Sequence, residues 1–424
     1  MLRLFFLLLV SVYAAVVNGQ GPTIWTTIEN DAVSRFLNEV TYTEKSDTSR
    51  VADFLTLSSQ RLDLPQPTIV DVPAPFLTFV NQGYVSVHYC YDRFFNTSAI
   101  DTVFVEKDAQ NAPVYDVQPG VTCFYRYYFN SMIIGWGEIE ATPQLRMIYV
   151  PSIGNVRDIG GWPVADGRTV KYGKLIRGSE LNGMHIADDA DISHLLHIGV
   201  SAEIDLRGNY EDGSGMSVFG FKSLAETADG DVPTFLYVND SGQLLKQMTK
   251  YEYLQRWRQE FEFIVANLRV GRTVYYHCRW GADRTGYLSL LLEGLLGVDY
   301  DHLIKDYELT SFRKNSLKTK DMIDPIISFI VETQSGNTLQ QKFRHFWTDR
   351  VGVSDDDVDY FIDEMLEGEK NEDPYETAVT PVVSSVPASV YYDLSGRRIH
   401  GARRGFFLVR QSDGCTRKVV KTNE

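Results

Sequence analysis

The chain has 424 residues, 44% apolar and 23% charged, ordinary for a globular protein and long enough for more than one core. Its formal net charge of −15 argues against nucleic acid as a main partner. The same charge means that any attraction for phosphate has to come from a local positive site.

Residues 1–19 read as a signal peptide. Arg3 precedes an apolar run from Leu4 to Val17, and Val17 and Gly19 suit a small-residue cleavage rule before Gln20. That run is short for a spanning helix, and no later stretch is apolar enough to span, so the mature chain is expected exported and without a transmembrane span. Residues 20–66 mix short apolar and polar stretches. Ile28 to Leu37 and Val51 to Leu57 suit short helices, and no role follows from them.

From 67 to 150 the hydrophobic period becomes two. Segments such as Tyr84–Tyr91, Thr102–Val105, Thr122–Phe129 and Gln144–Tyr149 alternate and are separated by turn residues. This predicts an all-β sandwich of immunoglobulin or fibronectin type. Cys90 and Cys123 lie in two of these strands. A disulfide between them is open in an oxidising compartment, and spacing alone does not decide it.

Residues 151–368 alternate strand and helix, which predicts an α/β domain with a helix-covered central sheet. Strands are expected at 174–176, 201–206, 235–238 and 273–277. Helices are expected at 188–197, 246–267, 285–296, 300–310 and 321–333, with two more between 337 and 366. Residues 369–388 are acidic and then rich in Pro, Ser, Thr and Val, which reads as a linker. Residues 389–424 return to strands as a small β module. From Tyr391 it carries eight Lys/Arg against three acids, a net +5. Cys415 lies here and has no expected catalytic part.

One stretch carries chemistry. The run Val274-Tyr275-Tyr276-His277-Cys278 ends as a strand would, Arg284 follows Cys278 by six positions, and an apolar helix begins near Tyr287. A strand-to-helix turn aims backbone N–H groups at one point, which makes an anion cradle. Those dipoles and Arg284 favour a thiolate at Cys278. Arg284 can hold two phosphoryl oxygens with its planar fork. Gly281 and Gly286 permit tight curvature, and Thr285 can hydrogen-bond the sulfur as it leaves. Arg279, Trp280, Gly281, Ala282 and Gly286 complete the candidate phosphate-binding loop. Trp280 suits stacking on a ring or packing of the loop equally well. A buried, inert cysteine is the structural alternative; the arginine, glycines and helix start speak against it.

The stretch resembles the cysteine-dependent protein tyrosine phosphatase superfamily. It is most similar to the bacterial tyrosine/dual-specificity phosphatases with an H-C-x-x-G-x-D-R-T-G loop. Asn155-Val156-Arg157-Asp158-Ile159-Gly160-Gly161, Arg177-Gly178-Ser179-Glu180-Leu181 and Asp205-Leu206-Arg207 resemble that family's other motifs. The resemblance implies a phosphate monoester hydrolase acting on phosphorylated peptides or small phosphate esters, without cofactor. It points to Asp283 as the general acid. Asp240 sits where other branches carry a mobile acid loop, and Asp166 only mimics a W-P-D loop and reads as a turn with Gly167. Many members carry Lys where this chain has Ala282, a lysine linked to phosphoinositide recognition. Its replacement weakens that substrate reading.

Asp205 and Arg207 end a strand beside the expected site, where a phosphate-orienting role and a structural ion pair are both open. His185, His194 and His197 lack a ligand spacing, so no metal is expected. The basic tail resembles sorting or retention modules on proteins exported by some Gram-negative bacteria, which implies periplasm, cell surface or secretion, with envelope association. A small packing appendage is the alternative. Three functions remain open: a phosphotyrosine-type phosphatase, an inositol phosphate or phosphoinositide phosphatase, and a non-catalytic envelope binding protein with a vestigial phosphatase domain. A sulfur-transfer cysteine loop is disfavoured by the Arg-Thr-Gly that follows.

Overall fold

Residues 31–46, 48–55 and 61–65, to which the sequence assigns no role, pack into the α/β core. Helix α1 (Asp31–Glu39) buries Val33 and Phe36, and the chain continues with buried Val40, Tyr42 and Phe54. Phe36 sits 5.5 Å from the ring of Phe312, and the Tyr42 hydroxyl donates to Glu308 at 2.6 Å. These contacts span more than 260 positions of sequence, so local pattern could not reveal them.

The computed structural model describes residues 31–46, 48–55, 61–65, 68–71, 77–80, 85–97, 100–107, 109–114, 117–118, 121–140, 147–239, 248–313, 317–370, 390–392, 398–399, 405–410 and 416–421. The segments expected as signal peptide and, for the most part, as linker lie outside them, as do Asp240 and Cys415. Two compact units are formed, Met1–Asn371 and Glu372–Glu424.

The β region follows the arm. Strands β1 (Thr68–Asp71), β2 (Val85–Cys90), β3 (Asp101–Phe104), β4 (Asn111–Val114), β5 (Thr122–Phe129) and β6 (Met132–Glu140) form two antiparallel sheets. One is four-stranded, ordered β3-β2-β5-β6; the other is a β1-β4 ribbon. In β5 the alternate residues Cys123, Tyr125 and Tyr127 are buried, which fits a sheet with one face on a core. Val85, Val87, Ala112, Val114 and Ile139 share that core, so the ribbon covers the sheet. This is a sheet under a ribbon; a complete immunoglobulin-type sandwich is not formed among the described residues. Pro113 lacks a ladder donor, which suits a short edge strand. Of the strand expected at 144–149, only 147–149 are described, and Met147 makes a single bridge to Arg157. Cys90 and Cys123 are both free thiols. Cys90 lies opposite Phe124, one residue out of register with Cys123. Burial pushes the Cys123 thiol up to about 12.

The mixed α/β architecture expected for 151–368 is present. Its elements are β7 (Arg157–Asp158), β8 (Thr169–Val170), β9 (Leu175–Ser179), α2 (Asp189–His197), β10 (Val200–Asp205), β11 (Phe235–Tyr237), α3 (Tyr251–Arg269) and β12 (Thr273–Cys278). Then come α4 (Asp283–Leu296), α5 (Tyr300–Leu309), α6 (Lys320–Thr333), α7 (Leu339–His345), α8 (Asp355–Met365) and β13 (Leu366–Glu367). The central sheet runs β11-β10-β12-β9-β7; its first four strands are parallel and β7 is antiparallel. The chain passes from β9 to β10 and later inserts β12 between them.

Every residue of β12 is buried. Val274 and Tyr276 face the large core with α3 and α4, while Tyr275 faces the core of Ile153, Val156 and Leu195. That is the period-two alternation of a strand covered on both sides. Helix α4 is buried nearly all round, which explains why its sequence is apolar on every face. Its C-cap is Gly297 in the left-handed conformation, φ 91°.

The C-terminal unit is a four-stranded antiparallel sheet. It comprises β14 (Val390–Tyr392), β15 (Arg398–Ile399), β16 (Gly405–Arg410) and β17 (Thr416–Lys421), ordered β15-β14-β16-β17.

Candidate active site

The strand register sets the site. Cys278 pairs with Ser179 of β9, and His277 pairs with Asp205 of β10. The carboxyl ends of the three middle strands therefore stand level, where ligands of open α/β sheets bind. Cys278 is 3% exposed at the end of β12, and α4 starts five residues later. The first N–H groups of a helix lack intrahelical partners, so this end offers donors to an anion.

The turn between them is held from below. Gly281 has φ 60°, and a Cβ there would meet the Gly178 carbonyl carbon and oxygen at 2.5 Å. Only glycine suits both demands. The Gly281 carbonyl accepts from Asn155 Nδ2 at 2.7 Å and from Arg177 Nη2 at 2.9 Å. Arg177 in turn donates to Asp306 at 2.7 Å, and Asp306 also takes Arg157 at 3.0 Å. Arg157 and Asn155 are themselves hydrogen-bonded. The motif residues Asn155, Arg157 and Arg177 are thus the floor of the loop. Asp306 ties them together and carried no sequence signal. Burial pushes the Asp306 carboxyl up, and the two guanidiniums outweigh it, so it stays below the usual carboxylate range.

Arg284 lies against a partner the sequence did not suggest. Glu211, 73 positions earlier, accepts Arg284 Nη1 at 2.5 Å and Nη2 at 3.0 Å. Glu211 also accepts the Gly208 N–H at 2.6 Å. Burial pushes the Glu211 carboxyl up, but these hydrogen bonds prevail and it lies below its ordinary value. Glu211 thus fixes the direction of the Arg284 guanidinium.

Asp283 opens helix α4. Its Oδ1 accepts the Tyr307 hydroxyl at 3.0 Å and the Lys318 ammonium at 2.6 Å. Its side chain is 42% exposed, so it meets solvent and pocket. Burial, then the Asp283 charge, pushes the Tyr307 phenol up, which keeps it a donor. Thr285 is fully buried, and its Oγ1 has no hydrogen-bond partner among the described residues. A buried, unsatisfied hydroxyl is costly unless something else completes it.

Arg207 is buried and all its donors are engaged. It contacts Asp205 at 2.9 Å, Glu180 at 3.0 Å, Asn182 at 2.5 Å and Gly213 at 2.9 Å. Asp205 is likewise closed by Arg207 and by Gly215 N at 2.8 Å. Of the two roles open for this pair, the contacts are those of a structural brace. Asp166 pairs with Arg168 at 2.7 Å in a turn at Gly167, as the sequence implies.

The pocket beside the loop has a volume of about 590 Å³ and is lined by Trp280, Ala282 and Asp283 from the loop side. Arg61, His185, Arg313 and Lys318 also line it. Trp280 is 40% exposed and packs against the His185 ring at 4.6 Å. The three histidines do not converge on a site: His185 meets Arg313, and His197 pairs with Asp101 at 2.6 Å. Asp299, Asp301 and His302 do cluster, but Asp299 caps α5 and Asp301 pairs with Lys305.

An α/β sheet that presents a cysteine and an arginine in one turn, over a helix N-terminus, defines a cysteine-type phosphate site. Residues 148–367, just over half of the chain, match the model of the "Tyrosine phosphatase family", and the chain belongs to that family. A candidate tyrosine-protein phosphatase of Cupriavidus necator is 29% identical over 175 residues, which cover 39% of this chain and 63% of that protein. The triple specificity protein phosphatase PtpB of Mycobacterium tuberculosis is 29% identical over 227 residues, covering 46% of this chain and 75% of that protein. The chain thus spans under two thirds of the length of the first of these relatives.

Proposed function

We propose that the protein is an exported phosphatase that hydrolyses phosphotyrosine-type monoesters through a phosphocysteine intermediate. The observation that carries this reading is the assembly of Cys278, Asp283, Arg284 and Thr285 in one turn, with Arg284 already gripped by Glu211. The Cys278 thiolate attacks phosphorus, an S–P bond forms, and the P–O bond to the leaving group breaks. Asp283 gives its proton to the departing oxygen. Water then attacks phosphorus, its proton returns to Asp283, and the S–P bond breaks with the Thr285 hydroxyl donating to the sulfur. Arg284 and the loop N–H groups hold the equatorial oxygens throughout. Export rests on the apolar run from Leu4 to Val17. No helix among the described residues is long and apolar enough to cross a membrane.

A second reading keeps the chemistry and takes inositol phosphates or phosphoinositides. The cations around the pocket favour it, and Ala282 in place of the family lysine speaks against it. The relative named for triple specificity supports a range wider than phosphotyrosine. A vestigial, non-catalytic domain is disfavoured by the intact loop.

The test is rapid quenching with a radiolabelled aryl phosphate, beside a panel of phosphotyrosine, phosphoserine and phosphothreonine peptides and inositol phosphates. Label should appear on Cys278 of the parent chain. Cys278→Ser should trap none and retain no more than about a few per cent of the rate, since no base stands ready to activate a serine. Turnover by Cys278→Ser near the parent rate overturns the reading.

A further inference from the structure

The pocket beside the loop contains more positive charge than one phosphoryl group uses. Arg61 is matched by Asp63 at 2.9 Å, and Lys318 is matched by Asp283. Arg313 is different. It is 7% exposed, lines the pocket, and has no carboxylate within ion-pair distance among the described residues. Its guanidinium stacks on Trp280, 4.3 Å from the ring centroid, and its Nη2 donates to His185 Nε2 at 2.8 Å. Burial holds this guanidinium below its ordinary value. Asp63 and Glu180 act on it only from beyond ion-pair distance, so among the described residues it lacks a direct ionic partner, which a bound anion would supply.

The fold makes room for this arrangement. A Cβ on Gly154 would meet Arg313 Nε at 2.4 Å and Cδ at 2.9 Å, so the side chain lies directly across the Gly154 backbone. The N-terminal arm adds Arg61, which donates to the carbonyls of Pro151 at 2.6 Å and Ile153 at 2.8 Å and so fixes the neighbouring rim. Trp280 is the second residue after Cys278, so Arg313 adjoins the phosphate cradle. A pocket of about 590 Å³ is in the range for a whole small ligand.

We propose that Arg313, flanked by Arg61 and Lys318, forms a second anion subsite that takes a second phosphate group on the same small substrate molecule. The first phosphate lies on Cys278, the scaffold passes Trp280, and the second phosphate pairs with Arg313. This rests on the phosphatase reading above.

The experiment compares phenyl phosphate with the 1,2-, 1,3- and 1,4-phenylene bisphosphates, using the full chain. One bisphosphate should exceed phenyl phosphate in kcat/KM by about 10- to 100-fold, the yield of one charge-assisted contact. The preferred isomer reports the spacing of the two subsites. Arg313→Gln and Gly154→Ala should each bring the two esters to within about threefold of each other, whereas Arg313→Lys should retain part of the preference. Gly154→Ala displaces Arg313 without removing its charge, so it separates position from charge. Equal turnover of all four esters, or a preference that survives both variants, overturns the subsite. If no ester is hydrolysed, the phosphatase reading fails separately. Calorimetric binding of the bisphosphates against phenyl phosphate to Cys278→Ser then decides the subsite alone.

Discussion

Glu211 holds Arg284 by two hydrogen bonds, 2.5 Å to Nη1 and 3.0 Å to Nη2. The fork is therefore held in one direction, and aim is what distinguishes arginine from a mobile charge. Glu211→Gln keeps the shape and removes the charge that fixes the guanidinium. It should lower kcat/KM for an aryl phosphate by about 10- to 100-fold, the effect of slight misplacement of a transition-state donor. Arg284→Lys should lose about 10²–10⁴. Steady-state kinetics of both variants check this; unchanged efficiency in Glu211→Gln would remove the aiming role.

The acid is tested by leaving groups. Asp283→Asn should slow alkyl phosphates far more than activated aryl phosphates, because an activated oxygen needs less protonation. It should also remove one limb of the pH–rate profile. Asp240→Asn should have little effect on either ester. Reversal of that pattern would move the acid to the upstream loop and leave Asp283 as a brace between Tyr307 and Lys318.

Thr285 predicts a change in the rate-limiting step. Its buried hydroxyl has no partner among the described residues and stands two residues from Asp283. Thr285→Ala should slow breakdown of the phosphocysteine by about 10- to 100-fold, the loss of one hydrogen bond to a charged group. Rapid quench should show a larger burst and more trapped label. A proportional loss of burst and steady rate would place Thr285 in loop packing instead.

A stability effect is predicted at Glu293 in α4. Burial, and then the Asp306 charge, pushes its carboxyl well above the ordinary value, and both its oxygens lack hydrogen-bond partners among the described residues. The folded state therefore keeps a proton that the unfolded chain releases. Its contribution to stability is full below the ordinary carboxylate range and is lost as pH rises through the raised value. Glu293→Gln should remove that loss, raising the melting temperature at pH 8 relative to the parent by a few degrees, about 1–2 kcal/mol. Near pH 4 the two chains should converge. Scanning calorimetry across this range is the check, and a gap independent of pH counts against the protonated carboxyl.

Much of the candidate turn was legible because its parts are local. Cys278, Asp283, Arg284 and Thr285 fall within eight consecutive positions, and strand and helix periods flank them. Asn155, Arg157 and Arg177 were visible as motif residues, though their task of holding the Gly281 carbonyl was not. Glu211, Asp306, Arg313 and Lys318 gave no signal. Each reaches the site through tertiary packing, and lone charged residues in loops or helices usually mean solvent contact. In the β region the alternation marked β2, β3 and β5 but not β4 or β6, and the strand expected at 144–149 makes a single bridge; how strands group into sheets depends on register, which alternation alone does not set.

The arm and the loop floor meet across the β region. Arg61 reaches Pro151 and Ile153, and Asp63 accepts the Asn155 N–H at 2.6 Å. The chain thus leaves the α/β core at 65 and re-enters it near 147 with both ends pinned side by side. In topological terms the β region is an insertion, a handle on a closed ring of contacts. Bridging its ends should remove such a handle at small entropic cost, with the loss of the Asp101–His197 pair. A chain cut back to 148–367 is a different matter. It would strip Phe36, Val40, Tyr42 and Phe54 from the core and leave their apolar partners open to solvent and to aggregation.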